Sequence, residues 1–212
     1  MAAPQTSNLF IDGPAGKLEA ELLLPENQLE HCVALVLHPH PLFHGSMHNK
    51  VVTTLCRAVA DLGIPALRFN FRGVGASAGE HDDGHGEQDD ATAAAHWLTG
   101  EYPNRKLLLA GFSVGAATAI RIAERLNTAQ LISCGVPTRY FSGEAITVAC
   151  PWLAVHGEAD DVAPWRDAEQ WLTSQRNAPV VVSKPDVGHF FHGELSWLRA
   201  TVKGFVSDHL PL

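Results

Sequence analysis

The sequence has few cysteines, little charge and no excess of positive residues. Its four cysteines, Cys32, Cys56, Cys134 and Cys150, are scattered and form no Cys-x-x-Cys pair. In a chain of 212 residues this usage indicates reduced core thiols, so we expect a cytoplasmic protein. The net charge of −8 leaves no basic stripe that would attract nucleic acid or an anionic membrane, and neither is expected as a partner.

Two further absences argue against the membrane and secreted classes. No apolar run approaches the roughly 20 residues that a membrane-spanning helix needs. The opening residues MAAPQTSNLF contain neither the positive region nor the apolar stretch of a signal peptide. Hydrophobic residues nevertheless make up 46% of the chain, which is ordinary for a folded globular protein.

Strand-like and helix-like segments alternate from one end of the chain to the other. Residues 17–24 alternate apolar and polar side chains, and a turn-rich segment joins them to a shorter strand at 8–11, which favours a hairpin. The run Cys32–Leu37 is continuously apolar, as expected of a strand covered on both faces. The alternation predicts a three-layer α/β fold, with a mostly parallel sheet of about eight strands, an N-terminal antiparallel hairpin and helices on both faces. Because no linker interrupts the pattern, residues 1–212 are expected to form a single domain.

Further strands and helices are predicted from the same periodicities. The strands are expected at 67–71, 106–110, 129–134, 152–155 and 179–183, and the helices at 51–62, 91–98, 114–126, 164–172 and 195–205. The carboxylates of Glu87, Asp89 and Asp90 precede the second helical run, where they would complement a helix N-terminus. In open parallel sheets, ligands bind beyond the carboxyl ends of the strands, so the residues that follow the strands are the candidates for function.

The pattern G-x-S-x-G occurs twice, around Ser77 and around Ser113. The pattern has a mechanical meaning only where a strand turns sharply into a helix, because the glycines then relieve crowding around a strained serine. Ser113 satisfies this requirement, since KLLLA precedes it and AATAIRIAERL follows it. Ser77 lies within a glycine-rich loop and is predicted to be a loop residue. Ser113 is therefore the candidate nucleophile.

A serine hydroxyl is a weak nucleophile and needs a base, which an acid must orient. Two later segments that follow predicted strands supply such groups, in the order serine, acid, histidine. The segment HGEADD contains Glu158, Asp160 and Asp161, and the segment GHFFH contains His189 and His192.

Together these segments resemble the α/β-hydrolase superfamily over nearly the whole chain. More narrowly, HPHPLFHGSMHNK, LRFNFRGVGASAG, HGEADD and GHFFHG are similar to a compact bacterial group of predicted hydrolases without a cap domain, related to dienelactone hydrolases and serine esterases. The resemblance implies the three-layer α/β-hydrolase fold and a catalytic triad. By the family's spacing it assigns the acid to Asp160, and the base to His189, which directly follows the glycine of the family's G-H pattern.

Acyl transfer also needs N–H donors for the oxyanion. One is expected from the backbone of Val114, the residue after the nucleophile. The second is expected from the loop that follows Leu37, where the two prolines cannot donate. By position relative to the superfamily's H-G-x motif, His40 or Leu42 is favoured, although Pro39 replaces the usual glycine.

The substrate pocket is expected to be open. Only 47 positions separate Ser113 from Asp160, and two strands, a helix and a connection occupy them, so no cap domain fits there. Phe43 is a candidate pocket residue. Tyr140 and Phe141 either form one pocket wall or anchor their loop to the core. The histidines of the loop at 38–48 show no zinc-binding spacing, so no metal is expected.

These observations predict a serine hydrolase that cleaves a small carboxylic ester or thioester through an acyl-enzyme. The reaction requires no cofactor, and the expected partner is a small ester or thioester, with a homo-oligomer as a further possibility at the open site. Two alternatives use the same fold: an acyltransferase with the same triad, and a binding protein that does not catalyse.

Overall fold

One sheet of eight strands runs through the residues that the computed structural model describes, which are 4–141, 144 and 146–211. The strands are β1 (Gln5–Gly13), β2 (Gly16–Leu24), β3 (Cys32–Leu37), β4 (Ala66–Phe69), β5 (Lys106–Phe112), β6 (Gln130–Cys134), β7 (Trp152–Gly157) and β8 (Val180–Lys184). Their order across the sheet is β1-β2-β4-β3-β5-β6-β7-β8. The expected hairpin is confirmed, because β1 pairs with β2 antiparallel and Gly13 lies opposite Gly16. β2 also pairs antiparallel with β4, and the other strands pair in parallel.

Helices cover both faces of this sheet. They are α1 (Lys50–Ala60), α2 (His85–Glu101), α3 (Val114–Ile122), α4 (Trp165–Thr173) and α5 (Leu195–Asp208). Buried residues of α1 and α5 share one apolar cluster with one side of the sheet, and those of α2, α3 and α4 share a second cluster with the other side. The alternation predicted three layers because helices after parallel strands must cover the sheet, and this prediction is confirmed. None of the helices in the described residues combines the length and apolar character needed to span a bilayer.

The central strands place the chain's most apolar runs where both faces are covered. Every residue of Cys32–Leu37 is buried, between β4 on one side and β5 on the other. Parallel pairing aligns the carboxyl ends of β3, β5, β6, β7 and β8 at one edge. The loops that follow these strands therefore meet at that edge.

Several predicted boundaries differ from the structure, and for two of them the reason is identifiable. β4 ends at Phe69, because the N–H of Phe71 donates to the buried imidazole of His38 (3.0 Å) instead of to a neighbouring strand. α2 begins at His85, so Glu87 and Asp90 lie within the helix. Glu87 does cap the helix N-terminus by accepting from the N–H of Gly84 (2.8 Å), as a carboxylate there was expected to do. The carboxylate of Asp90 instead pairs with the guanidinium of an arginine in the preceding loop.

Candidate active site

Ser113 lies at a sharp turn between β5 and α3. Its backbone has φ 55° and ψ −121°, a conformation that non-glycine residues rarely adopt, and it presents the hydroxyl at the carboxyl end of the sheet. The two flanking glycines are required by space. A Cβ at Gly111 would lie 2.2 Å from the carbonyl oxygen of Gly115, and a Cβ at Gly115 would lie 2.4 Å from that of Leu37. The turn therefore brings the start of α3 against the backbone at the end of β3.

Ser113, His189 and Asp160 form one continuous chain of hydrogen bonds. The Oγ of Ser113 lies 3.0 Å from Nε2 of His189, and Nδ1 of His189 lies 2.7 Å from Oδ2 of Asp160. All three residues are buried, at 5%, 3% and 6% exposure respectively. Because an ionised carboxylate only accepts, Nδ1 carries the proton and Nε2 of the neutral imidazole is free to accept from the serine hydroxyl. The arrangement matches the geometry of a nucleophile, a base and an orienting acid.

The carboxylate of Asp160 is held in its ionised form. Its Oδ1 accepts hydrogen bonds from the backbone N–H groups of Val162 (2.9 Å) and Ala163 (2.7 Å). Burial alone would raise the pKa of this carboxyl. Hydrogen bonds from the side chains of His156 and His189 and from the Ala163 amide outweigh burial and hold the pKa well below its usual range.

His156 is a partner of the acid that the sequence reasoning missed. Its Nε2 lies 2.8 Å from the carbonyl oxygen of Ala163 and 3.3 Å from Oδ2 of Asp160. Both neighbours are acceptors, so this nitrogen carries the proton. Nδ1 is buried and has no hydrogen-bond partner among the described residues. The signal was present in the segment HGEADD, where the histidine precedes the acid by four residues and lies at the end of the strand that leads to it.

Within the described residues, the side chains of the alternative serine, acids and histidine in these sequence patterns form no hydrogen bond with the triad. The Oγ of Ser77 donates to the carbonyl oxygen of Asn70 (2.6 Å) and accepts from the N–H of Glu19 (2.9 Å), so this serine joins the loop to the sheet. Asp161 is exposed, as is His192, whose ring lies 5.8 Å from that of Phe190. Glu158 accepts a hydrogen bond from Ser183 at the surface (2.7 Å).

Two backbone N–H groups near Ser113 have no partner among the described residues, those of Val114 and His40. Both residues line the same cavity as Ser113. The N–H of Leu42, the predicted alternative donor, already has a hydrogen-bond partner. The N–H of Leu42 donates to Nδ1 of His40 (3.2 Å), and its side chain is 65% exposed. The N–H of Phe43 is also used, because it donates to the carbonyl oxygen of His40 (3.2 Å).

The loop that carries His40 is anchored by a buried neutral histidine. Burial lowers the pKa of His38 to about 4, although the hydrogen bond to the Pro39 carbonyl opposes this shift. In the neutral ring, Nε2 accepts from the N–H of Phe71 (3.0 Å) and Nδ1 donates to the carbonyl oxygen of Pro39 (2.6 Å). His38 thus joins the end of β3 to the residues that follow β4.

A cavity of about 350 Å³ opens beside Ser113 and His189. Phe43 lines it, as expected. Phe141 does not, because it is fully buried and stacks on Trp171 with ring centroids 4.2 Å apart. Tyr140 packs against the same core cluster, so both aromatic residues anchor their loop. The described residues that line the cavity are Pro39, His40, Phe43, His44, Gly45, Asn49, Ser113, Val114, Arg139, Val162, His189 and Phe190.

Several of the lining residues, among them Arg139, Val162 and Phe190, were not identified from the sequence. Arg139 and Val162 follow β6 and β7 in loops whose course no local pattern predicts. A larger recess of about 640 Å³ lies elsewhere, between the end of β2 and the C-terminal end of α1, and its described lining contains no serine, cysteine or histidine. Within the part of the chain that the structure describes, no three His, Cys, Asp or Glu side chains come together in a way that could hold a metal ion.

Comparisons with known proteins identify the family of this fold. A family model described as serine aminopeptidase S33 matches residues 41–137. One solved structure is that of XC6422 from Xanthomonas campestris, which is described as an α/β serine hydrolase without a lid. Its sequence is 40% identical to this chain, and the match covers 98% of this chain and 96% of XC6422. The two structures superpose with a TM-score of 0.94. An α/β serine hydrolase homologue from Coxiella burnetii is 37% identical over 93% of this chain and 96% of its own, with a TM-score of 0.89. The uncharacterized protein RP471 of Rickettsia prowazekii is 35% identical over 175 residues, which are 80% of this chain and 73% of that protein.

Proposed function

Because the chain belongs to the α/β serine hydrolases that lack a lid, we propose that it hydrolyses small carboxylic esters or thioesters through an acyl-enzyme intermediate. The observation that carries the proposal is the hydrogen-bonded chain from Ser113 through His189 to Asp160, with distances of 3.0 and 2.7 Å. A serine in this arrangement is activated by a neighbouring base, which is the requirement for nucleophilic catalysis.

In the first half of the reaction, the Oγ of Ser113 attacks the carbonyl carbon of the ester while Nε2 of His189 takes its proton. Asp160 orients the imidazole and stabilises the imidazolium that forms. The carbonyl oxygen becomes negatively charged, and the backbone N–H groups of His40 and Val114 donate to it. As the tetrahedral intermediate collapses, His189 gives the proton to the leaving alcohol or thiol, and the acyl group remains on Ser113.

In the second half, water replaces the leaving group. Nε2 of His189 takes a proton from the water as its oxygen attacks the acyl-enzyme carbonyl. The second tetrahedral intermediate collapses, the proton returns to the Oγ of Ser113, and the carboxylic acid is released. The open cavity supports access of water and of small substrates. Four free cysteines, three of them buried, support our proposal that these reactions take place in the reducing cytoplasm.

The test is intact mass after treatment with a fluorophosphonate, followed by a panel of esters and thioesters. Wild type and the control variant Ser207→Ala, whose changed residue is exposed on α5, should each gain one adduct. Ser113→Ala should gain none. Hydrolysis of 4-nitrophenyl acetate should show the same dependence on Ser113. The proposal fails if folded wild-type protein forms no adduct, and the binding-protein alternative would then be preferred.

The same panel separates hydrolysis from two other reactions of this triad. Added alcohols or amines would yield a transferred acyl product if the protein were an acyltransferase. Aminoacyl 4-nitroanilides test amide cleavage, because the matching family model is described as a serine aminopeptidase. The proposed preference would be contradicted if acyl transfer to the added acceptors, or cleavage of the 4-nitroanilides, had a higher kcat/KM than ester hydrolysis.

A further inference from the structure

The cavity beside Ser113 has a charge opposite to that of the whole protein. The chain carries a net charge of −8, yet no aspartate or glutamate is among the described residues that line the cavity. Its one arginine is Arg139, and the rest of the lining is mainly apolar, with Phe43, Val162 and Phe190 at the mouth. A substrate that enters the cavity therefore meets apolar surface and one permanent positive charge.

Arg139 is held at the cavity without a carboxylate partner among the described residues. It lies in the short turn Thr138–Phe141 after β6, and its Nη1 donates to the carbonyl oxygen of Val162 (2.9 Å). The guanidinium also lies 5.2 Å from the ring centre of Tyr140. A guanidinium has five N–H donors, and the Val162 carbonyl occupies one of them. By contrast, Arg72 and Arg199 each bind an aspartate in a bidentate manner.

The turn that carries Arg139 follows β6, so it lies at the same edge of the sheet as Ser113. β6 lies between β5, which ends just before Ser113, and β7, which leads to Asp160. Arg139 is exposed, and it lines the same cavity as Ser113 and Val162. The charge of Arg139 also acts on the other wall: burial is the main cause that lowers the pKa of His40, Arg139 adds to it, and the carboxylates of Glu87 and Asp83 oppose it.

We propose that Arg139 binds an anionic group of the substrate, such as a carboxylate, at a distance from the bond that is cleaved. The preferred substrates are then esters or thioesters with a small apolar body and one negative charge. This inference rests on the proposed function, since it names the substrate class of the same site. An unpaired guanidinium is suited to this role because it forms charge-assisted, often bidentate hydrogen bonds with carboxylates.

The test compares kcat/KM for matched charged and neutral esters. In one arm the charge is in the acyl part, as mono-4-nitrophenyl adipate against 4-nitrophenyl hexanoate. In the other arm it is in the leaving group, as 4-acetoxybenzoate against its methyl ester. Each pair is measured with wild type, Arg139→Gln, Arg139→Lys and the control Arg176→Gln, which changes an exposed arginine after α4. The ratio of charged to neutral kcat/KM cancels any general effect of losing the hydrogen bond to Val162.

We expect wild type to prefer the charged ester in one arm, and that arm identifies which part of the substrate carries the anion. Arg139→Gln should lower the ratio about threefold to tenfold, as the loss of a charge-assisted hydrogen bond at an exposed site predicts. Arg139→Lys should retain part of the preference and Arg176→Gln all of it. In 0.5 M NaCl the wild-type preference should shrink, because salt screens an exposed ion pair.

Two distinct results would overturn the inference. If wild type hydrolyses the neutral esters and Arg139→Gln changes neither the ratios nor the individual rates, the residue does not recognise charge. If Arg139→Gln slows both members of each pair equally, its role is to support the loop of Val162. Failure of the proposed function is recognised separately, since wild type would then form no fluorophosphonate adduct and hydrolyse no ester of either charge.

Discussion

Replacing His40 by proline tests whether its backbone N–H is the second oxyanion donor. The residue has φ −51° and ψ 122°, and proline prefers φ near −65°. The N–H that proline would remove has no partner among the described residues, so the folded protein loses no hydrogen bond with it. The substitution therefore deletes one donor from the site while the backbone keeps its conformation.

The expected loss follows from the charge on the oxyanion. Removing one such donor typically costs about 10² to 10³ in kcat, or about 3 to 4 kcal/mol of transition-state stabilisation. The imidazole of His40 is lost as well. With it go the ring contacts to Phe43 and His81, whose ring centroids lie 4.8 and 5.1 Å away, and the hydrogen bond that Nδ1 accepts from the N–H of Leu42. His40→Ala is the matched control, because it removes the same ring and keeps the N–H.

The assay is steady-state hydrolysis of 4-nitrophenyl acetate, with thermal unfolding measured on the same samples. We expect kcat of His40→Pro to fall about 10² to 10³ below that of His40→Ala, with KM changed far less. Equal kcat values for the two variants, at similar unfolding midpoints, would refute the assignment of the donor to His40. The rate of fluorophosphonate labelling gives a second readout, since it also depends on charge developing at the oxyanion.

Other substitutions test the acid, its second histidine partner and the buried loop histidine. Asp160→Asn should lower kcat about 10³ to 10⁴-fold, because two backbone N–H groups at 2.7 and 2.9 Å hold the amide oxygen and turn the NH₂ toward His189, enforcing the wrong tautomer. Asp161→Asn should stay near wild type in the same kinetic assay. His156→Leu should lower kcat about tenfold, with partial rescue by His156→Gln. Burial lowers the pKa of His38 from 6.5 to about 4 in the folded protein. The contribution of this residue to the free energy of unfolding, measured with urea, should therefore be fully present above pH 6.5 and decrease by about 3 kcal/mol toward pH 4. His38→Gln should flatten this pH dependence, and an unchanged dependence would contradict the reasoning.

The sequence by itself determined the sheet and the position of the nucleophile. A continuous apolar run such as Cys32–Leu37 has one stable location, between two covered faces, and the alternation of such runs with helical segments allows few topologies. The turn at Ser113 was also predictable, because the strand, the glycines and the helix that produce it are consecutive in the chain. These features depend on periodicity and on local backbone geometry, and both can be read from neighbouring residues.

Only the tertiary structure decided which groups of the loops meet. HGEADD contains three carboxylates, and Asp160 reaches His189 because its Oδ1 is held by the two amides that follow it. His40 has an unoccupied N–H where Leu42 does not, because the loop folds its own donors back onto His40. Arg139 lines the cavity while its aromatic neighbours anchor the turn. The physical reason is the same in each case: these contacts join residues distant in sequence, and their geometry depends on loop backbones that no repeating pattern specifies.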